Sequence, residues 1–202
     1  KTLVQFTCKK LIKDAEGRKK PVGMPSWKNK TPEEFNNMCN KADKVRCVLT
    51  GRINNITVFD FDCPDEYYKF IKKYPAFEYA FTVKTSKGFH VYTKYNPNYL
   101  TTTNTDLGID IRNDDAIVFG AGTVTDFGTK YEHYKGTRFE LMVDNEFYEY
   151  VKPKSIKPPQ TNIPKPTKSK NVYSTNEPTK QVCSLSETQL YQLCDIVDED
   201  LI

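Results

Sequence analysis

Residues Ile56-Thr57-Val58-Phe59-Asp60-Phe61-Asp62 constrain this chain more than any other stretch. β-Branched and aromatic residues run up to two carboxylates, and Pro64 then ends the run, which is the pattern of a strand with a defined stop. Side chains alternate across a strand, so Ile56, Val58, Asp60 and Asp62 share one face while Thr57, Phe59 and Phe61 share the other. The aromatic face demands an apolar layer against it. The acidic face carries two carboxylates about 6 to 7 Å apart along the strand, at its end. Two carboxylates opening onto one pocket supply the hard oxygen ligands that Mg²⁺ or Mn²⁺ prefers for phosphate chemistry. The competing reading has both acids capping the strand and facing water.

The segments around this strand predict a mixed α and β chain. A helix is expected from Pro64 to Lys73, with Asp65 and Glu66 in its first turn and Lys72 and Lys73 in its last, as the helix dipole favours. Thr31-Pro32-Glu33-Glu34 opens another with the spacing of a capping box. Ala80–Lys84 and Gly88–Thr93 read as a hairpin around Thr85-Ser86-Lys87, and Gly108–Arg112 and Ala116–Gly120 flank a turn-like Asn113-Asp114. Phe139–Val143 is a final apolar run. Hairpins favour an antiparallel sheet, and no internal repeat is visible.

Length and composition set the boundaries of this picture. The chain has 202 residues, 38% of them hydrophobic and 13% aromatic, enough for one core with appendages. Six of the twelve prolines fall in 152–180, among Lys, Ser, Thr and Asn, a composition of a flexible linker. Beyond it, Ser184-Leu185-Ser186-Glu187 and the apolar Leu190, Tyr191, Leu193 and Val197 predict a short helix at the start of a following domain. The expected organisation is a working domain over 1–150, a linker over 151–181 and a helical segment over 182–202. Net charge follows the same division: +3 over 1–150, +6 over 151–180 and −5 over 181–202. The working domain is nearly balanced, so charge alone does not mark it as a nucleic-acid binder. A basic tether could touch template phosphates, although a solvated spacer explains it as well. No apolar run approaches the ~18 residues of a membrane span, and Lys1–Gln5 lacks a signal-peptide core. Six cysteines without a C-x2-C pair read as reduced thiols of an intracellular protein. The chain opens on Lys1 and is read as a processed product or a piece of something longer.

Two further groups carry chemistry. Asp110 sits between Ile109 and Ile111, so it shares a strand face with Arg112; a third carboxylate would complete a metal site, and a surface ion pair with Arg112 is the plainer alternative. Ser86, Lys87, Gly88 and His90 offer a hydroxyl, a cation, a residue permitting close backbone approach and an imidazole, which together outline a triphosphate cradle. An ordinary hairpin turn beside a half-buried histidine accounts for the same residues. Asp106, Asp114 and Asp115 lie in turn-like sequence, and His133 has no comparable context.

In order, Asp60-x-Asp62, Ser86-x-Gly88-x-His90 and Ile109-Asp110-Ile111-Arg112 resemble the three motifs of bifunctional primase-polymerases in the archaeo-eukaryotic primase superfamily. The likeness extends to Lys20-Pro21, Trp27 and Thr50-Gly51 and covers most of 15–125. It implies an α+β fold, with an antiparallel catalytic sheet of the RNA-recognition type packed with helices beside an N-terminal α/β module. It implies Asp60, Asp62 and Asp110 as catalytic ligands of two Mg²⁺ or Mn²⁺ ions, and Ser86, Lys87, Gly88, His90 and Arg112 as contacts to an incoming NTP or dNTP. The implied activity is primer synthesis on a single-stranded DNA template. The linker and trailing helix look like those of viral or mobile-element helicase-primases, where a superfamily-three helicase follows. This chain departs from many relatives in three places: Lys87-Gly88 replaces a glycine pair, Asp115-Ala116 replaces a second pair, and Gly120-Ala121-Gly122-Thr123 replaces a proline-rich run. Two other readings stand beside it: a non-catalytic DNA- or helicase-binding module, and a haloacid-dehalogenase-like phosphatase, whose opening motif is also an apolar strand ending Asp-x-Asp.

Overall fold

The computed structural model describes residues 3–104 and 106–153. The expected linker and following helix therefore lie outside the described residues, apart from 151–153. At the centre is the acid-bearing strand β5 (Ile56–Phe61), with every residue but Asp60 buried. It is flanked on both sides by antiparallel partners, β7 (Phe89–Lys94) and β9 (Ile109–Arg112). Adding β6 (Thr82–Lys84), β8 (Thr102–Asn104) and β11 (Glu132–Lys135) gives a six-stranded sheet in the order β11-β6-β7-β5-β9-β8.

The aromatic face of β5 finds the apolar layer it demands. Phe59 and Phe61 pack with Phe70 of α2 (Pro64–Lys73), Phe77 of a 3₁₀ turn (Pro75–Tyr79) and Phe147 of α3 (Asn145–Val151). Ring centroids lie 5.3 Å apart for Phe59 and Phe147, 4.7 Å for Phe70 and Phe147, and 5.4 Å for Phe61 and Phe70. Each such ring contributes about 1.5 to 3 kcal/mol of burial. The opposite face carries Ile56, Val58, Val83 and Tyr92, covered by Val48 and Val118 of a second, three-stranded antiparallel sheet. That sheet is built from β1 (Gln5–Cys8), β4 (Val45–Leu49) and β10 (Ile117–Phe119), in the order β1-β4-β10. Beyond it, Phe6, Leu11 and Phe35 enclose a third apolar cluster with α1 (Pro32–Asn36) and the hairpin of β2 (Lys10–Lys13) and β3 (Lys19–Val22). The capping box forms: Thr31 Oγ1 accepts from the Glu34 amide, and the Glu34 carboxylate accepts from the Thr31 amide. The class is α+β with antiparallel sheets, as expected.

The runs on either side of Asn113-Asp114 do not pair with each other. β9 joins the six-stranded sheet and β10 the three-stranded one. Asn113, fully buried, makes the crossing: its Oδ1 accepts from Thr57 Oγ1 at 2.6 Å and its Nδ2 donates to the Asn96 and Tyr99 carbonyls, while its own carbonyl accepts from Thr50 Oγ1. A side chain that ties β5 to the 96–99 loop, through a hydroxyl and two carbonyls, sends the chain from one layer to the next. Phe139–Val143 forms no strand; Leu141 and Val143 pack on the helical side and Phe139 on the other.

Candidate active site

Cross-strand register assembles the site. Asp60 on β5 lies opposite His90 on β7 and opposite Asp110 on β9, so all three project from one face in a single row. The second sheet covers Val58 and Tyr92 on that face. Asp60 is 17% and Asp110 21% exposed at the side chain, whereas His90 is only 3% exposed. Arg112, one pleat away opposite Val58, reaches back to pair with Asp110. Asp62 stands one residue beyond β5, tied through its amide to the Gly108 carbonyl at 2.7 Å, and its carboxylate pairs with Lys87 at 3.2 Å.

The turn before His90 is held by its own residues. Thr85 Oγ1 accepts from the Lys87 and Gly88 amides, and the Thr85 amide donates to the Gly88 carbonyl at 2.8 Å. These two backbone donors are therefore engaged within the turn, leaving side chains as its means of meeting phosphate. Close backbone approach at Gly88 is to the protein itself: a Cβ there would stand 1.9 Å from the Phe61 carbonyl oxygen.

The charges around the row divide its two central acids. Burial pushes the Asp60 carboxyl up, but the neighbouring His90 imidazole, with Lys19 and Arg112 behind it, outweighs burial and holds it below the usual carboxylate range. Burial also raises Asp110; Arg112 offsets this only in part, and the charges of Asp60 and Asp62 add to it, so Asp110 stands above that range. His90 Nε2 lies 3.2 Å from Asp60 Oδ1, an ion-pair distance, yet the geometry is not that of a hydrogen bond. Asp60 Oδ1 and His90 Nδ1 are two of only four buried side-chain polar atoms among the described residues with no hydrogen-bond partner. That both sit on one cross-strand pair singles out this spot, because buried polar atoms otherwise find partners.

Among the described residues no three His, Cys, Asp or Glu side chains converge as a metal-holding group. Each of the three acids instead lies beside a basic side chain: Asp60 beside His90, Asp62 beside Lys87 and Asp110 beside Arg112. The donor set nevertheless suits a hard divalent ion, since it is all carboxylate oxygen and includes one buried oxygen that accepts no hydrogen bond.

Two residues outside the expected set belong here. Lys19, at the start of β3, has its ammonium 5.6 Å from the centre of the Tyr131 ring. Burial lowers its pKa, but Tyr131 and then Asp60 and Asp62 more than compensate, so it is raised overall. Tyr131 is fully buried, edge-on to His90 with ring centroids 5.9 Å apart, and its hydroxyl is 3.4 Å from Ser86 Oγ. Arg18-Lys19-Lys20-Pro21 is a basic run that could have drawn attention to Lys19; nothing in the sequence around Tyr131 marks it. Asp114 serves its turn, accepting from the Arg52 amide and the Tyr95 hydroxyl. His133 is exposed and stacks on Phe81.

Comparison with known proteins gives one family. The model of the bifunctional DNA primase/polymerase N-terminal domain matches residues 6–161. No curated protein matches the chain.

Proposed function

Because this chain belongs to the bifunctional DNA primase/polymerase family, matched over 6–161, we propose that it is a DNA-dependent nucleotidyltransferase that builds primers on single-stranded DNA from NTPs or dNTPs. The observation that carries the proposal is the cross-strand pair of Asp60 and His90, where an acceptor and a ring nitrogen are buried without a hydrogen bond. A divalent cation would satisfy the first and a triphosphate oxygen the second.

Asp60, Asp110 and Asp62 are the proposed ligands of two Mg²⁺ or Mn²⁺ ions. Bound there, the ions would lower the pKa of the attacking 3′-hydroxyl and neutralise charge on the triphosphate. The protein's own part is placement. Asp60, held ionised by His90, Lys19 and Arg112, is ready to accept a cation at neutral pH. Arg112 and Lys87 then turn from the carboxylates they now attend to the phosphates, and Lys19 joins them from the Tyr131 ring, as charge-assisted donors. His90 and Ser86 donate to phosphate oxygens from the floor and the turn. Gly88 keeps that turn pressed on β5, which fixes the distance between the phosphate contacts and the acids. On the strength of the resemblance and the linker composition of 152–180, the proposal extends to association with a superfamily-three helicase. Among the described residues no helix is long and apolar enough to cross a membrane.

The test is incubation of the chain with single-stranded DNA, labelled nucleotides and Mn²⁺ or Mg²⁺, with and without a primer. Metal-dependent products that disappear in Asp60→Ala, with the far-UV spectrum unchanged, are the expected result; products without primer establish priming. Full synthesis by Asp60→Ala, or DNA binding with no synthesis under any condition, would refute the catalytic assignment.

A further inference from the structure

Trp27 is the sole tryptophan of the chain, and the proposed chemistry makes no use of it. It walls a cavity of about 370 Å³ floored by Phe35 and Leu49 and bordered by Lys28, Arg52 and Asp115. The volume lies within the roughly 300 to 1,000 Å³ usual for small-ligand sites. Indole and apolar floor suit a flat aromatic group. Lys28 and Arg52 are exposed, and Lys28 Nζ lies 6.0 Å from the centre of the Trp27 ring.

Other charges nearby are already engaged. Lys30 pairs with Glu34 at 2.8 Å, and Asp114 accepts from the Arg52 amide and the Tyr95 hydroxyl. The Asp115 carboxylate is exposed, with no hydrogen bond or ion pair among the described residues. The Arg52 guanidinium itself leans on the Tyr95 hydroxyl and Asp114, so the cavity offers a ligand an aromatic wall, a free Lys28 ammonium, a second cation on a separate loop that a phosphate would have to draw over, and one open acceptor. The backbone is strained at the same place. The non-glycine residues with left-handed φ among the described residues are Asn29 (61°), Asn55 (52°) and Asp115 (55°). Two of them line the cavity, and Asn55 closes the turn that carries Arg52 by donating its amide to the Arg52 carbonyl. Such conformations gather where a ligand is met.

An aromatic slot between two cations fits a base flanked by phosphates, which is a nucleotide within a strand. The lone carboxylate adds a preference: it can accept from the exocyclic amine of cytosine, and thymine has no such amine. Asp115 follows Arg112 by three residues, at most about 10 Å of chain, so a strand leaving the acids reaches the cavity within a few nucleotides. We propose that the Trp27 cavity seats one base of the single-stranded DNA template, stacked on the indole, with Lys28 and Arg52 on the neighbouring phosphates and Asp115 favouring an amine-bearing base. This rests on the template-directed activity proposed above.

Trp27 emission reports on the cavity directly. The full chain is titrated with short oligo-dC and oligo-dT, following both Trp27 fluorescence and the anisotropy of a labelled end of the DNA. Expected are saturable quenching in step with anisotropy, and oligo-dC binding about tenfold tighter than oligo-dT. Asp115→Asn, which tolerates a left-handed φ, should abolish that preference while leaving oligo-dT affinity within about twofold. Lys28→Ala should weaken both oligonucleotides about equally and reduce the salt slope by about one. DNA binding seen by anisotropy with Trp27 emission unmoved, or quenching with no base preference and no effect of Lys28→Ala, overturns the cavity assignment alone. No binding by either readout overturns it together with the template reading beneath it.

Discussion

Substituting Gly88 by alanine tests how the fold sets the site's dimensions. Gly88 lies outside the left-handed region, so its requirement is space alone. The added Cβ would stand 1.9 Å from the Phe61 carbonyl oxygen and 3.1 Å from its carbon. The obstacle is ladder backbone, which cannot swing aside as a side chain would, so the turn must back away from β5 by more than about 1 Å. Overpacking of this kind costs about 1 to 3 kcal/mol, and a backbone obstacle puts it at the upper end, near 3. At this chain length that lowers Tm by roughly 6 to 12 °C. The displaced turn carries Ser86 and Lys87 and adjoins the Phe61–Phe89 and Asp60–His90 pairs, so incorporation should fall about 100-fold in the fraction that remains folded. Thermal unfolding by circular dichroism and single-nucleotide incorporation measure the two effects. Gly128→Ala is the control: Gly128 has a φ of 83° but nothing within 4 Å of its Cβ position, so it should cost only the ~1 kcal/mol of conformational strain. A Gly88→Ala protein with Tm within about 2 °C of wild type and a rate within threefold would refute the reasoning.

Three further outcomes are expected. Tyr131→Phe keeps the packing but removes the hydroxyl 3.4 Å from Ser86, so steady-state kinetics should show a severalfold rise in nucleotide KM with kcat within about twofold and Tm nearly unchanged. Asn113→Ala strands the Tyr99 carbonyl and takes the acceptor from the buried Thr57 hydroxyl, which should cost about 3 kcal/mol in urea denaturation. Phe147→Ala empties the centre of the helical layer and should cost about 3 to 5 kcal/mol by the same assay while leaving the pH dependence of incorporation unchanged, since no site group touches that ring.

The sequence alone is enough for whatever depends on one strand or one turn. β5, its aromatic face and its stop before Pro64 follow from alternation and from proline's missing donor, and α1 and α2 follow from local capping and dipole chemistry. It also placed Asp110 with Arg112 on one face of β9, and marked Gly88 as a point of close approach. What it left open depends on pairing between distant segments. β1, β4 and β11 are short and weakly patterned, and their assignment as strands comes from partners distant in the chain, as in the pairing of Gln5 with Val48 and Glu132 with Lys84. The split of β9 and β10 between two sheets is decided by Asn113, whose partners are residues 57, 96 and 99. The same holds at the candidate site. Alternation put Asp60 and Asp62 on one face, but only the ladder register set Asp60 between His90 and Asp110 and gave each acid its basic neighbour. Lys19 and Tyr131 reach that row from a hairpin and a loop that the sheets bring together, because burial and electrostatics act through space rather than along the chain.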